Sequence, residues 1–243
     1  MGATRLAVGP LRESLLLRVL LMVEVPTVFV VEDDGQVCRM ISDLVRSIGL
    51  HVESFAAARY LLDSFDEFQP GCIVADLRLP EMSGLELQQY LADRRCLLPF
   101  VFITGYGDIP SAVQALRAGA VDFLEKPFAP HRLLDAVHVA LRLNTSLRLR
   151  RAERESAIEQ LSRLSGRERE VLALIVSGSP NKNIAARLEI SIKTVETHRA
   201  EIMKKTRARH LAELIRLVLT AELESIGGPG FSSLSLGRPR GSG

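Results

Sequence analysis

Five times between Thr27 and the middle of the chain, a short apolar run gives way within a few residues to a segment with helical spacing. The runs are TVFVV (27–31), HVESF (51–55), CIVA (72–75), PFVFI (99–103) and VDFLE (121–125). They are rich in Val, Ile and Phe, the residues that suit a pleated surface. The segments between them repeat apolar residues every three or four positions. In 35–48 these are Val37, Met40, Ile41, Leu44, Val45 and Ile48, which predicts an amphipathic helix. Further helices are expected over 56–65, 84–92, 109–118 and 130 to about 143. Strands alternating with helices through short loops specify an α/β domain, a (βα)5 doubly wound parallel sheet. In such a sheet the reactive groups gather at the carboxyl ends of the strands.

The pattern changes after Ser165. Helical spacing alone is kept, over 167–177, 181–188, 191–206 and 209–219, and Gly178-Ser179-Pro180 breaks the first pair apart. Ser191 is placed to cap the third of these helices. A second, all-α four-helix domain is therefore expected. The divisions are 1–25 as an N-terminal extension, 26–143 as the first domain, 144–160 as a linker helix, 161–226 as the helical domain and 227–243 as a disordered Gly/Ser/Pro-rich tail.

Charge divides the chain in the same place. Residues 26–130 hold eight Lys/Arg against fifteen Asp/Glu, whereas 150–219 hold fifteen Lys/Arg against nine Glu. An acidic half suits a cation and a basic half suits nucleic acid, although the whole chain carries a net charge of only +2. The three cysteines, Cys38, Cys72 and Cys96, match no metal-binding spacing, and are expected to be reduced in a cytoplasmic protein. Asn144-Thr145-Ser146 fits the glycosylation pattern, which has no meaning in that compartment. The apolar stretch 11–25 is broken by Arg18 and Glu24 and is too short to span a bilayer, so neither a signal sequence nor a membrane partner is expected. Met22 stands just ahead of the first strand as an alternative start.

Carboxylates fall where the sheet would use them. Asp33 and Asp34 lie just past TVFVV, Asp76 follows CIVA, Thr104 follows PFVFI and Lys126 follows VDFLE. One such residue is ordinarily a helix cap or a solvated charge. Five at four strand ends point to one site. Carboxylates from two strands offer the hard oxygen donors that Mg²⁺ takes together with phosphate. Asp76 could then attack phosphorus, with Lys126 and the Thr104 hydroxyl bonding phosphate oxygens.

The segments VEDD (31–34), VADLRLPEMSGLEL (74–87) and FITGYGDIPSAVQALRAGAVDFLEKPF (102–128) strongly resemble a response-regulator receiver domain of the FixJ type, a flavodoxin-like fold. The resemblance implies that Asp76 is the phosphoacceptor. It implies Mg²⁺ ligands in Asp33, Asp34, Asp76 and the backbone carbonyl of Arg78, a phosphate-sensing pair in Thr104 and Lys126, and an aromatic switch in Phe123. A cis Lys126-Pro127 bond is implied as well.

Residues 161–219 resemble the LuxR-type helix-turn-helix of the FixJ/NarL family. The residues agree: Ile184, Ala185 and Leu188 form one apolar face, Ile190 closes the turn, and Val195 and Ile202 face inward from the third helix. Its opposite surface offers Lys193, Thr194, Thr197, His198, Glu201, Lys204 and Lys205, a polar and cationic face suited to the major groove. The expected DNA contacts are Lys182, Lys193, Thr194, Thr197, His198, Arg199 and Lys204. Glu168 is expected to brace the helices internally. Leu211, Leu214, Ile215 and Val218 form a stripe on the last helix that serves the core and, by the resemblance, a dimer contact. Thr206-Arg207 depart from the apolar residue and Gly common there in relatives.

The resemblance implies a DNA-binding transcription regulator rather than an enzyme. A sensor histidine kinase, operator DNA, RNA polymerase and, on phosphorylation, a second copy are its expected partners. Three other readings are weaker. A phosphatase with an Asp nucleophile needs an acid two residues later, where Arg78 stands. A ligand-gated regulator needs an apolar sensor pocket where this chain has acids. A receiver acting unphosphorylated through protein contacts is the nearest alternative.

Overall fold

The computed structural model describes residues 25–222 apart from 65, 67 and 106–108. The tail at 227–243 and most of the N-terminal extension lie outside the described residues. The chain divides between Arg148 and Leu149 into two units.

The first unit is a five-stranded parallel sheet in the order β2-β1-β3-β4-β5. Its strands are β1 (Thr27–Val31), β2 (His51–Phe55), β3 (Gly71–Asp76), β4 (Phe100–Thr104) and β5 (Asp122–Glu125). The helices are α1 (Gly35–Ser47), α2 (Ala58–Ser64), α3 (Gly84–Asp93), α4 (Ile109–Arg117) and α5 (Pro130–Ser162), the last of which crosses the division between the units. Strands β1, β3 and β4 are buried along their whole length, as expected of strands covered on both faces. Alternate residues supply two cores. Val28, Val30, Cys72, Val74, Val101 and Ile103 pack with Ile41 and Val45 of α1 and Leu133 and Val137 of α5. Phe29, Val31, Ile73, Ala75, Phe100 and Phe102 pack with Leu61 of α2, Leu87 and Leu91 of α3, and Ala115 of α4. Burial in the first core pushes the Cys72 thiol up to about 12.

The expected 143/144 boundary falls short of where the first unit's contacts end. Asn144 is 2% exposed. Its Oδ1 accepts the Gly71 N–H at 3.1 Å and its Nδ2 donates to the Leu97 carbonyl at 2.8 Å, tying α5 to the amino-terminal edge of β3 and the loop before β4. One turn on, Arg148 donates to the Phe68 carbonyl. The polar, Arg-rich stretch around Asn144 hid this, because a buried amide is satisfied by contacts distant in sequence.

The second unit contains α6 (Gly166–Val176), α7 (Asn181–Leu188), α8 (Ile192–Thr206) and α9 (Leu211–Glu222). A capping box of Ser165 and Glu168 starts α6, and Ser191 caps α8 by accepting the Thr194 N–H. Ile184, Val195, Ile202 and Leu214 are all but fully buried and form the centre of the core with Val171. Leu211 and Leu219 of α9 remain exposed. Arg207 takes the left-handed conformation at the end of α8, with φ +56°, a geometry that Gly adopts without a Cβ penalty.

Candidate functional site

The strand order reverses between β1 and β3, and the crevice beyond their carboxyl ends is where a doubly wound sheet binds its ligand. Glu32 prolongs β1: its N–H donates to Phe55 at 3.0 Å. Asp33 follows, and Asp76 closes β3. One carboxylate oxygen from each of Glu32, Asp33 and Asp76 lies within 4.8 Å of the other two. Glu32 and Asp76 are buried, at 2% and 6% exposure, and Asp33 is open to solvent.

Lys126, directly after β5, donates to Asp76 Oδ2 at 2.7 Å and to Glu32 Oε2 at 2.6 Å. Buried carboxylates need such a partner. The other oxygen of Asp76, Oδ1, accepts the Arg78 N–H at 2.8 Å. Burial raises the Glu32 carboxyl above its ordinary range, against the pull of the Lys126 hydrogen bond. Burial works to lower the Lys126 ammonium too, but its hydrogen bonds to Asp76 and Glu32 prevail and hold it above its ordinary range.

Asp34, expected beside Asp33 as a metal ligand, is placed elsewhere. Its Oδ1 accepts the N–H groups of Gln36 at 2.7 Å and Val37 at 3.2 Å, capping α1, and those two bonds hold its carboxyl below the ordinary range. Glu32 stands in the cluster instead. Because the β1 ladder runs one residue further than the apolar run does, the third acid falls at the helix start. The buried ladder position was the available signal for Glu32.

Thr104 is 1% exposed at the end of β4, and its carbonyl accepts the Lys126 N–H at 2.7 Å. Phe123 pairs in register with Phe102 and is half-buried against the second core. The Lys126-Pro127 bond is cis. Gly84, at the start of α3, allows a close approach: a Cβ there would lie 2.3 Å from the Asp76 carbonyl oxygen.

In the helical unit Lys182, Lys193, Thr197 and Lys204 are exposed, and Thr194, His198 and Arg199 are half-buried. Arg199 donates to Asn181 Oδ1 at 3.2 Å, and Thr194 shares its hydroxyl with Ser191 at 2.8 Å. Lys205 departs from the expected outer face. It turns inward and donates to both Glu168 oxygens at 2.7 Å. Glu168 is thus internal, as expected, and Lys205 chiefly holds its carboxyl below the ordinary range.

A buried acid–lysine cluster at the switch point of a (βα)5 sheet, followed by a helical unit with an exposed basic helix, defines a signal-receiving regulator. Family models match both parts: the response regulator receiver domain over residues 28–138 and the bacterial regulatory proteins of the luxR family over 162–218. The chain is 41% identical over 190 residues to the response regulator protein TodT of Pseudomonas putida, covering 78% of this chain and 84% of TodT. It is 40% identical over 196 residues to the transcriptional regulatory protein FixJ of Rhizobium meliloti, covering 79% and 95%. A low-resolution structure of the response regulator StyR superposes with a TM-score of 0.71 at 46% identity, covering 79% of this chain and 98% of StyR.

The chain belongs to the FixJ-type two-component response regulators, which join a receiver domain to a DNA-binding LuxR-type helix-turn-helix domain. These are transcription regulators rather than enzymes. The receiver implies a histidine kinase partner, and no described helix is long and apolar enough to cross a membrane.

Proposed function

We propose that Asp76 accepts a phosphoryl group from a phosphohistidine of the partner kinase, and that this controls pairing of the receivers and binding to operator DNA. The observation that carries the reading is the bridge from Lys126 to Asp76 and Glu32 beside the open carboxylate of Asp33. An Asp76 oxygen forms the bond to phosphorus as the bond to the histidine nitrogen breaks, and the imidazole departs. Three carboxylates converging on one point fit a hard divalent ion. Mg²⁺ held by Glu32, Asp33 and Asp76, with the Arg78 carbonyl completing the protein's share, would offset the charge of the incoming phosphate.

Lys126 is placed to exchange its hydrogen bond with the Asp76 carboxylate for one to a phosphate oxygen. The Thr104 hydroxyl takes another oxygen, and Phe123 on the neighbouring strand responds to the movement. The two DNA-binding domains of a receiver dimer then meet two half-sites, and the second contact is effectively intramolecular. Lys182, Lys193, Thr194, Thr197, His198, Arg199 and Lys204 supply the DNA contacts.

The test is mass in solution and operator binding, with and without acetyl phosphate and Mg²⁺, for the parent and Asp76→Asn. Dimerisation and tighter binding in the parent alone are expected. Equal binding by both proteins whatever the phosphodonor would replace this reading with control through unphosphorylated receiver contacts.

A further inference from the structure

Helix α8 presents an exposed stripe of Lys193, Glu196, Thr197, Ala200 and Lys204. Their offsets of three, four, seven and eleven residues place them on one helical face, opposite the buried Val195 and Ile202. This is the face free to enter the major groove. Glu196 puts a negative charge in the middle of it.

That charge is held in no ion pair, although Lys193 lies one turn before it. Elsewhere in this unit, Glu168 is held by Lys205, Glu170 by Arg167 and Glu201 by Lys204. Among the described residues Glu196 has no hydrogen-bond or ion-pair partner. A lone carboxylate at a phosphate-lined surface weakens binding to DNA of any sequence. It strengthens binding only where the groove offers a donor. Guanine and the thymine carbonyl present acceptors there, which repel it. Adenine pairs its N6 donor with an adjacent N7 acceptor. Cytosine N4 presents a donor alone, and is the base edge a carboxylate fits.

We propose that Glu196 is a specificity-determining residue that accepts a hydrogen bond from N4 of a cytosine in each operator half-site. The repulsion of other base edges discriminates as much as the bond attracts. The inference rests on the operator-binding reading above and names one base within it.

The test uses the full chain, treated with acetyl phosphate and Mg²⁺, to select from a randomised double-stranded DNA library, with the bound fraction sequenced. The parent is expected to enrich cytosine at one position per half-site by about tenfold, the scale of one good base contact. Glu196→Ala should flatten that position and leave the others enriched, while binding to bulk non-cognate DNA tightens. Glu196→Gln should move the preference from cytosine to adenine, whose N6 and N7 match an amide. Parent-like base profiles from both variants, or a uniform loss of enrichment at every position, would overturn the assignment. A parent library with no enriched motif would instead remove the operator reading itself.

Discussion

The Lys126 ammonium stands 2.7 Å from Oδ2 of Asp76, so the candidate phosphoacceptor shares its cation with Glu32, a second buried acid. Lys126→Met would leave two buried carboxylates facing each other without a positive charge. The receiver should lose about 3 kcal/mol in a metal-free buffer, the scale for breaking a buried pair. Added Mg²⁺ should restore much of it. Thermal melts of the parent and the variant, with and without Mg²⁺, measure both effects.

The neighbouring acids separate by task. Asp33→Ala should abolish Mg²⁺ binding in calorimetric titration. Asp34→Ala should leave it nearly intact and lower the receiver's melting temperature slightly, the usual result of losing a helix cap. A loss of Mg²⁺ binding in Asp34→Ala equal to that in Asp33→Ala would return Asp34 to the ligand set.

Glu168 gives the DNA-binding domain a defined acid sensitivity. Its folded carboxyl lies below the ordinary 4.5 because Lys205 bonds the charged form. The stabilisation is therefore complete above that value and is lost as pH falls through the lower folded value. Glu168→Gln should flatten the fall in stability over this interval, as followed by circular dichroism. Lys205→Ala should cost about 2 kcal/mol at neutral pH by stripping a charged hydrogen bond from a buried acceptor.

Arg207 closes α8 at φ +56°, a conformation unfavourable to any residue with a Cβ. Arg207→Gly should stabilise the domain by up to about 1 kcal/mol. Chemical denaturation would register this as a higher midpoint with an unchanged slope.

The sheet was legible because burial on both faces leaves short apolar runs. Val28 and Val30 enter one core and Phe29 and Val31 the other, so apolar runs with β-branched residues located all five strands to within a residue or so. The helical domain was legible from burial at period 3.6, with Val195 and Ile202 seven apart and both buried. Asp76 and Lys126 were legible from their positions after strands. Hydrogen-bonded placement was not. Asn144 looked like a linker residue and Lys205 like a surface cation, because their partners, Gly71 and Glu168, are 73 and 37 positions away. That Glu32 rather than Asp34 converges with Asp33 and Asp76 was not legible, because three acids in a row carry no pattern from which a ladder end can be read.

That run, Glu32-Asp33-Asp34, has a consequence for anyone editing this chain. One acid is inside and bonded to Lys126, the next is open to solvent, and the third holds a helix start. Deleting Glu32 would leave a segment that still looks acidic, yet Asp33 and Asp34 would each inherit a neighbour's post. Instructions here are written in order along the chain, not in amount of charge. Alignments or redesigns that score this stretch by charge alone would pass variants in which the pocket has been dismantled.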